Sequence, residues 1–296
     1  RRGSGVEGLL EQYGGLWMRR FPSRVVVLLL GMSLAVGACV QTKTTASGAV
    51  GVEREQTMLL SAAEVNQSAE AAYRKTLQQA QNANRLNRDP AVVQRVRGIA
   101  TRLTAATGAF RSDAPGWRWE VNVISSNELN AWCMPGGKIA VYTGIIERLQ
   151  LTDDELAAVM GHEIAHALRE HGREKAGQSA GVGAAAAIGG ALIGAYYGID
   201  ASIGRNVLGT AGDLAFMRPN SRGMEQEADR IGVELAARAG YDPAASISLW
   251  QKMARASSGS PPQWLSTHPS NATRIDDQRD YSERVRPLYG ASTKQQ

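Results

Sequence analysis

The sequence has few of the residues that define disulfide-rich or nucleic-acid-binding proteins. Only two cysteines occur among 296 residues, which excludes the disulfide framework of a small secreted protein. The formal net charge is +5, but +3 of it lies within residues 1–38. The remaining chain therefore carries only +2 and lacks a strongly basic surface, so we expect no nucleic-acid partner. Hydrophobic residues make up 43% of the chain, which is enough for a sizeable core.

Histidine is also scarce, yet two of the four histidines stand in one short motif. The stretch His162–His166 reads H-E-x-x-H, a pattern with a chance probability of about 1% in a chain with so few histidines. Thr152 and Glu155 have the spacing of a capping box, and apolar residues follow at helical intervals. Histidines four positions apart share one face of a helix, so this segment predicts two ligands of a single zinc ion.

A hydrolytic zinc site also needs a general base, a third protein ligand and an open fourth position. Glu163 leaves the predicted helix beside the metal and is well placed to accept a proton from water. In the segment Met224–Arg230, Glu225 and Asp229 share a helix face, whereas Glu227 points away. We predict that Glu225 binds zinc and that Asp229 orients a zinc-binding histidine. An ordinary acidic first turn of a helix is the alternative interpretation.

The N-terminal region has the layout of an export signal. Arginines follow Met18, an apolar stretch covers Val25–Val36, and Cys39 comes after small residues. This pattern resembles a bacterial lipobox and predicts a lipoprotein signal peptide at 18–38 with lipid on Cys39. A standard signal peptide with an incidental cysteine is the alternative. Residues 1–17 precede the predicted start and are interpreted as a non-native upstream extension.

The predicted mature chain begins with a tether and continues into one domain. Residues 39–56 are rich in Thr, Ser and Gly, which is typical of a flexible tether. A metallopeptidase domain is expected over residues 57–290. Its cysteine, Cys133, has no partner in the mature chain and is more typical of a small buried residue than of a nucleophile.

The predicted domain is α+β and mainly helical, with a small β-sheet beside the H-E-x-x-H helix. Alternating and β-branched residues predict three short strands, at Trp117–Ile124, Asn127–Met134 and Lys138–Thr143. An edge strand at this place can pair with an extended peptide substrate. A plain hairpin packed on the core is the alternative.

Three further features have less specific signals. In a continuous helix His171 would lie about 140° round the axis from His166, so we do not expect it to bind zinc. His268 is a candidate donor to the oxyanion of a tetrahedral intermediate, and a surface-loop histidine is the alternative. Ala180–Gly198 carries no charge over 19 positions, and its Ala and Gly content favours a mobile or tightly packed helix over a membrane span. A lid that rests on a membrane is an intermediate alternative.

Four motifs in order resemble those of the HtpX/CAAX-protease family of gluzincin metallopeptidases, over roughly residues 60–286. They are the strand motif Asn130–Ile139, the metal motif His162–His166, the third-ligand motif Glu225–Asp229 and the C-terminal motif Thr267–Ser270. The chain looks most similar to the lipid-anchored, periplasmic LoiP-like branch, which has mitochondrial Oma-type relatives. Membrane-embedded members carry strong transmembrane helices, and this sequence departs from that pattern. The departure favours a periplasmic domain and argues against prenyl-protein processing.

The resemblance implies a zincin-like peptidase fold with one zinc ion per chain, held by His162, His166 and Glu225. It implies Glu163 as general base and supports His268 as oxyanion donor. The predicted substrate-binding positions, at which backbone groups would bind the peptide, are Asn130, Ala131, Cys133 and Met134.

A location and a function follow from the same resemblance. Val40 after Cys39 implies sorting to the outer membrane, with the domain facing the periplasm. We predict a zinc endopeptidase that cleaves misfolded or regulatory envelope proteins, with envelope assembly or quality-control proteins as candidate partners. One alternative is a non-catalytic assembly factor or chaperone with a structural zinc ion. Another is a zinc hydrolase of non-peptide bonds, such as cell-wall amides.

Overall fold

The computed structural model describes residues 40–180, 220–256, 263–268 and 272–292. Within these ranges the predicted fold class is confirmed: the domain is α+β, mainly helical, with small sheets. The strands are β1 (Val40–Thr42), β2 (Gln56–Met58), β3 (Glu120–Ile124), β4 (Ala131–Met134) and β5 (Lys138–Tyr142). The helices are α1 (Ala62–Asn82), α2 (Pro90–Ala106), α3 (Thr143–Arg148), α4 (Asp153–Leu168), α5 (His171–Ala180), α6 (Arg222–Arg238), α7 (Ala245–Ala256), α8 (Gln263–Thr267) and α9 (Ala272–Ser292).

Several features of the N-terminal region and of the central uncharged stretch lie outside the described residues. These are the upstream extension, the signal peptide and Cys39, together with residues 181–198 of the predicted flanking helix or lid. No helix in the described part of the chain combines the length and apolar composition that crossing a membrane requires.

The central sheet contains three strands in the order β3-β5-β4. β4 and β5 form an antiparallel hairpin, and β3 runs parallel to β5. Gly136 and Gly137 form the hairpin turn with φ angles of 78° and 81°, a conformation that strongly favours glycine. A side chain on Gly137 would also meet the Trp119 ring at 2.8 Å. β4 is the edge strand, because its other side has no strand partner in the described residues.

Both faces of this sheet are covered, which explains why its strands are so apolar. Ala131 and Cys133 of β4 belong to the main core, which includes α4. Trp132 and Met134 point to the other face and pack with residues of α1. The Trp132 ring meets the ring of Tyr73 edge to face, with centroids 5.8 Å apart. The edge of β4 therefore lies between two helical layers.

Helices α4 and α6 approach each other closely at a pair of glycines. A Cβ atom on Gly161 would lie 2.8 Å from the carbonyl oxygen of Gly232. A Cβ atom on Gly232 would lie 2.8 Å from the backbone nitrogen of His162 and 2.9 Å from its Cα atom. The contact therefore requires residues without side chains at both positions, and it brings the H-E-x-x-H face of α4 against the first turns of α6.

The predicted flexible tether at residues 39–56 differs from the structure, which shows residues 40–56 folded onto the domain. β1 and β2 pair antiparallel, and Val50 and Val52 join the main core. The Val50 N–H donates to Glu234 Oε2 at 3.0 Å, and Gln56 Nε2 donates to the carbonyl oxygen of Arg169 at 2.6 Å. The tether prediction is wrong for this segment because its partners lie more than a hundred positions away in the sequence, where local composition carries no signal.

Candidate metal centre

Four side chains converge at one point between α4, α6 and α8. His162 and His166 come from successive turns of α4, Glu225 from the first turn of α6, and His268 directly follows α8. Each offers a donor atom, and these atoms all lie within 4.8 Å of one another. All four residues are buried. The predicted ligands are thus brought together, and His268 lies in the same group.

The spacing of the donor atoms fits a tetrahedral metal site. Zinc bonds of about 2.0–2.1 Å place tetrahedral ligands about 3.3 Å apart. His162 Nε2 lies 3.1 Å from His166 Nε2 and 3.5 Å from Glu225 Oε2, and His166 Nε2 lies 3.3 Å from Glu225 Oε1. His268 Nδ1 lies 3.2 Å from His162 Nε2 and 3.0 Å from Glu225 Oε1. The residues present therefore fit a divalent metal ion, and His268 stands where a fourth donor would be.

Glu163 lies beside this group and not within it. Its side chain is 3% exposed, and burial raises the pKa of its carboxyl group. The Trp264 indole N–H donates to Glu163 Oε1 at 2.7 Å. His268 Nε2 lies 3.5 Å from the same oxygen. Trp264, which the sequence analysis did not single out, therefore orients the candidate base and also stacks on His268 with ring centroids 4.9 Å apart.

Asp229 and Arg274 support the donor group from the side of α6 and α9. Asp229 Oδ1 lies 3.0 Å from His162 Nδ1. Arg274 donates from Nε and Nη2 to both oxygens of Asp229, at 2.7 and 2.8 Å, and its Nη1 lies 3.0 Å from Glu225 Oε2. Burial alone would raise the pKa of the Asp229 carboxyl, but the charge of Arg274 lowers it below its ordinary value. Arg274 carries no signal in the sequence, since nothing in a polar helix marks one arginine as buried.

His171 contacts the donor group through His166. α4 ends at Leu168, and Glu170 adopts a left-handed conformation with a φ angle of 50°, so α5 begins in a new direction at His171. The prediction of a helix that continues from His166 through His171 is therefore wrong. His171 is not among the four converging donors, but its Nδ1 lies 2.9 Å from His166 Nδ1.

The predicted substrate-binding positions lie immediately before the edge strand β4 and within it. Asn130, Ala131, Cys133 and Met134 are all buried, and β4 has no strand partner on its outer side among the described residues. The Leu129 carbonyl accepts a hydrogen bond from the backbone N–H of Trp264 at 3.1 Å, which places the start of β4 next to α8. The Asn130 side-chain NH₂ is buried without a hydrogen-bond partner among the described residues. Burial raises the pKa of the Cys133 thiol well above its usual range, so this thiol is poorly suited to act as a nucleophile.

Residues 90–282 match the sequence profile of peptidase family M48. Metalloendopeptidase OMA1, mitochondrial, of Bos taurus is 36% identical over 174 residues, which cover 55% of this chain and 33% of that protein. The mitochondrial metalloendopeptidase OMA1 of Arabidopsis thaliana is 33% identical over 182 residues, 62% of this chain and 34% of that protein. The Beta-barrel assembly-enhancing protease of Escherichia coli K12 is 28% identical over 215 residues, 70% of this chain and 42% of that protein.

This chain spans about a third to two fifths of the length of these curated relatives. The matched region contains α4, α6 and α8, which carry the converging donors. The predicted relationship to Oma-type metallopeptidases is confirmed. The chain belongs to peptidase family M48, a family of metalloendopeptidases.

Proposed function

We propose that this protein is a zinc-dependent endopeptidase. The observation that carries the proposal is the position of Glu163: its Oε1 lies 3.5 Å from Nε2 of His268, a member of the group in which the donor atoms of His162, His166 and Glu225 have tetrahedral spacing. A hydrolytic zinc site needs this combination of metal donors and an adjacent general base. Membership of a peptidase family and the names of the relatives support a peptide bond as the substrate.

The chain's own residues supply proton transfer and positioning. A bound zinc ion would polarise the scissile carbonyl and acidify the attacking water. The Glu163 carboxylate accepts a proton from that water and then delivers it to the departing amine. Burial raises the pKa of Glu163, which makes its carboxylate a stronger base, and Trp264 holds it in place. His268 donates a hydrogen bond to the oxyanion that develops during attack.

We further propose that an extended peptide adds to the edge of β4 that has no strand partner among the described residues. Recognition would rest on backbone hydrogen bonds, and the Asn130 side-chain NH₂, which has no hydrogen-bond partner in the described part of the chain, would be an additional donor. Backbone recognition tolerates many sequences, which suits misfolded protein substrates. The predicted export signal and the predicted lipid on Cys39 support a location in the bacterial envelope as an outer-membrane lipoprotein facing the periplasm. The name of the Escherichia coli relative agrees with an envelope role and with assembly or quality-control partners.

A second candidate function follows from the position of His268. Structural zinc sites are closed by four protein ligands, whereas catalytic sites keep one position open. His268 Nδ1 stands at the fourth position, 3.0 Å from Glu225 Oε1. This arrangement favours, as the alternative, a non-catalytic assembly factor or chaperone with a structural zinc ion.

An assay of the purified full chain separates the two functions. We expect the zinc-loaded protein to cleave an unfolded protein, to lose this activity on chelation and to regain it when zinc returns. Sequencing of the new termini from an envelope extract would then identify substrates. A protein that binds one zinc ion tightly and cleaves nothing would contradict the proposal and favour the structural role.

The variant His268→Ala tests the role of the fourth donor directly. We expect kcat to fall about 10²–10³-fold with zinc still bound, as when an oxyanion donor is removed. The measurement is steady-state cleavage together with zinc content. Loss of zinc binding, or a rise in activity, would show that His268 closes the site instead.

A further inference from the structure

His166 has a chain of buried partners behind it that the proposed function does not use. His171 Nδ1 lies 2.9 Å from His166 Nδ1, and His171 Nε2 lies 3.0 Å from Glu227 Oε2. His166 and His171 are 1% and 0% exposed, so water does not compete for these contacts. Their rings meet nearly edge to face, with centroids 4.9 Å apart and planes 70° apart.

The placement of protons along this chain follows from the donor and acceptor roles of imidazole. Two ring nitrogens at hydrogen-bonding distance need one proton between them. A neutral His166 that binds a metal through Nε2 carries its proton on Nδ1, so Nδ1 is the donor and His171 Nδ1 the acceptor. The proton of neutral His171 then lies on Nε2, which faces the carboxylate of Glu227.

Glu227 is held firmly at the far end of the chain. The fully buried Arg169 donates from Nε to Glu227 Oε2 at 2.8 Å, and Arg54 donates to both carboxylate oxygens. Both arginines can only donate hydrogen bonds, so their contacts fix the Glu227 carboxylate as the acceptor at the end of the chain.

We propose that Glu227 and His171 form a relay that holds His166 in the orientation and tautomer required for metal binding. His171 is then a positioning residue that acts through His166. The two histidines of the H-E-x-x-H motif are supported differently: Asp229 contacts His162 directly, whereas Glu227 reaches His166 through a second imidazole. The inference rests on the proposed metal site and does not depend on peptidase activity.

Zinc affinity measured by competition with a chelator tests the relay. We expect His171→Phe to weaken zinc binding about 10–100-fold, the usual cost of losing a partner of a metal-binding histidine. His171→Gln should lose less zinc affinity than His171→Phe, because the glutamine amide oxygen can accept a hydrogen bond from His166 while its NH₂ donates to Glu227. The matched control is Glu234→Gln, which alters a buried carboxylate of α6 that accepts from the Val50 N–H and from Arg238 and should leave zinc affinity unchanged.

Two readouts separate positioning from a general structural role. Melting temperatures of the metal-free variants report any loss of stability, and nitrogen-15 NMR of the unaltered, zinc-loaded protein reports the tautomers. We expect a proton on Nδ1 of His166 and on Nε2 of His171. A proton on Nδ1 of His171, or wild-type zinc affinity in His171→Phe, would overturn the relay. If His171→Phe does not fold, the tautomers seen by NMR and the zinc affinity of His171→Gln decide whether the relay exists. These outcomes hold whether or not the cleavage assay shows peptidase activity.

Discussion

Glu163→Gln should lower kcat for peptide hydrolysis about 10²–10⁴-fold while the protein still binds one zinc ion per chain. Glutamine keeps the shape of the side chain, and its amide oxygen can still accept from Trp264 Nε1. It cannot accept the proton of the attacking water. Because Glu163 lies outside the group of converging donors, metal binding should be retained. Steady-state cleavage and zinc content per chain measure the two effects.

Glu155→Gln is the matched control for this variant. Glu155 is a buried glutamate on the same helix, where it accepts hydrogen bonds from the Thr152 N–H, Ser248 and Lys252. The change should reduce stability and leave kcat unaltered, since the residue is far along α4 from the donors. An active Glu163→Gln protein with zinc bound, or an inactive one without zinc, would contradict the proposed division of roles.

Gly232→Ala should destabilise the fold by about 1–3 kcal/mol and weaken zinc binding. The added methyl group would lie 2.8 Å from the backbone nitrogen of His162 and 2.9 Å from its Cα atom. Backbone atoms cannot turn aside as a flexible side chain can, so α6 must move away from α4. That movement separates Glu225 and Asp229 from His162. Denaturant unfolding and zinc affinity measure the two effects.

Gly98→Ala controls for the intrinsic effect of replacing a helical glycine. Gly98 lies within α2, and a methyl group there would meet no atom within 4 Å. The free energy of unfolding of this variant should rise by about 0.5–1 kcal/mol, because alanine loses less conformational freedom on folding into a helix than glycine does. If both variants gained stability equally, the close approach of α4 and α6 would not limit the fold.

Local signals made the centre of the fold predictable. The capping box of Thr152 and Glu155 is present in the structure, with reciprocal side-chain and backbone hydrogen bonds. The Pro135–Gly137 turn and the two strands around it also follow from local chemistry, although β4 is shorter than predicted. Helical periodicity predicts that Glu225 and Asp229 lie on one face of a helix. The resemblance to a family indicates that this face meets the zinc ion held by His162 and His166.

Other features depended on contacts that no short segment reveals. The composition of residues 39–56 predicts a tether and carries no signal of their partners in α6 and at Arg169, which are remote in the chain. The prediction that His171 does not bind zinc uses the angle of a continuous α4, whereas a left-handed Glu170 ends that helix without the glycine that usually marks such a position.

By itself, the sequence determined the H-E-x-x-H helix, the short strands before it and the residue types able to bind a metal. Capping, periodicity and turn chemistry act between neighbours in the chain, so they can be read from its order. Only the tertiary structure decided that Arg274 supports Asp229, that Trp264 holds Glu163 and that His171 stands behind His166. Those contacts arise from the packing of α4 against α6, α8 and α9, and packing depends on the shape of the whole fold.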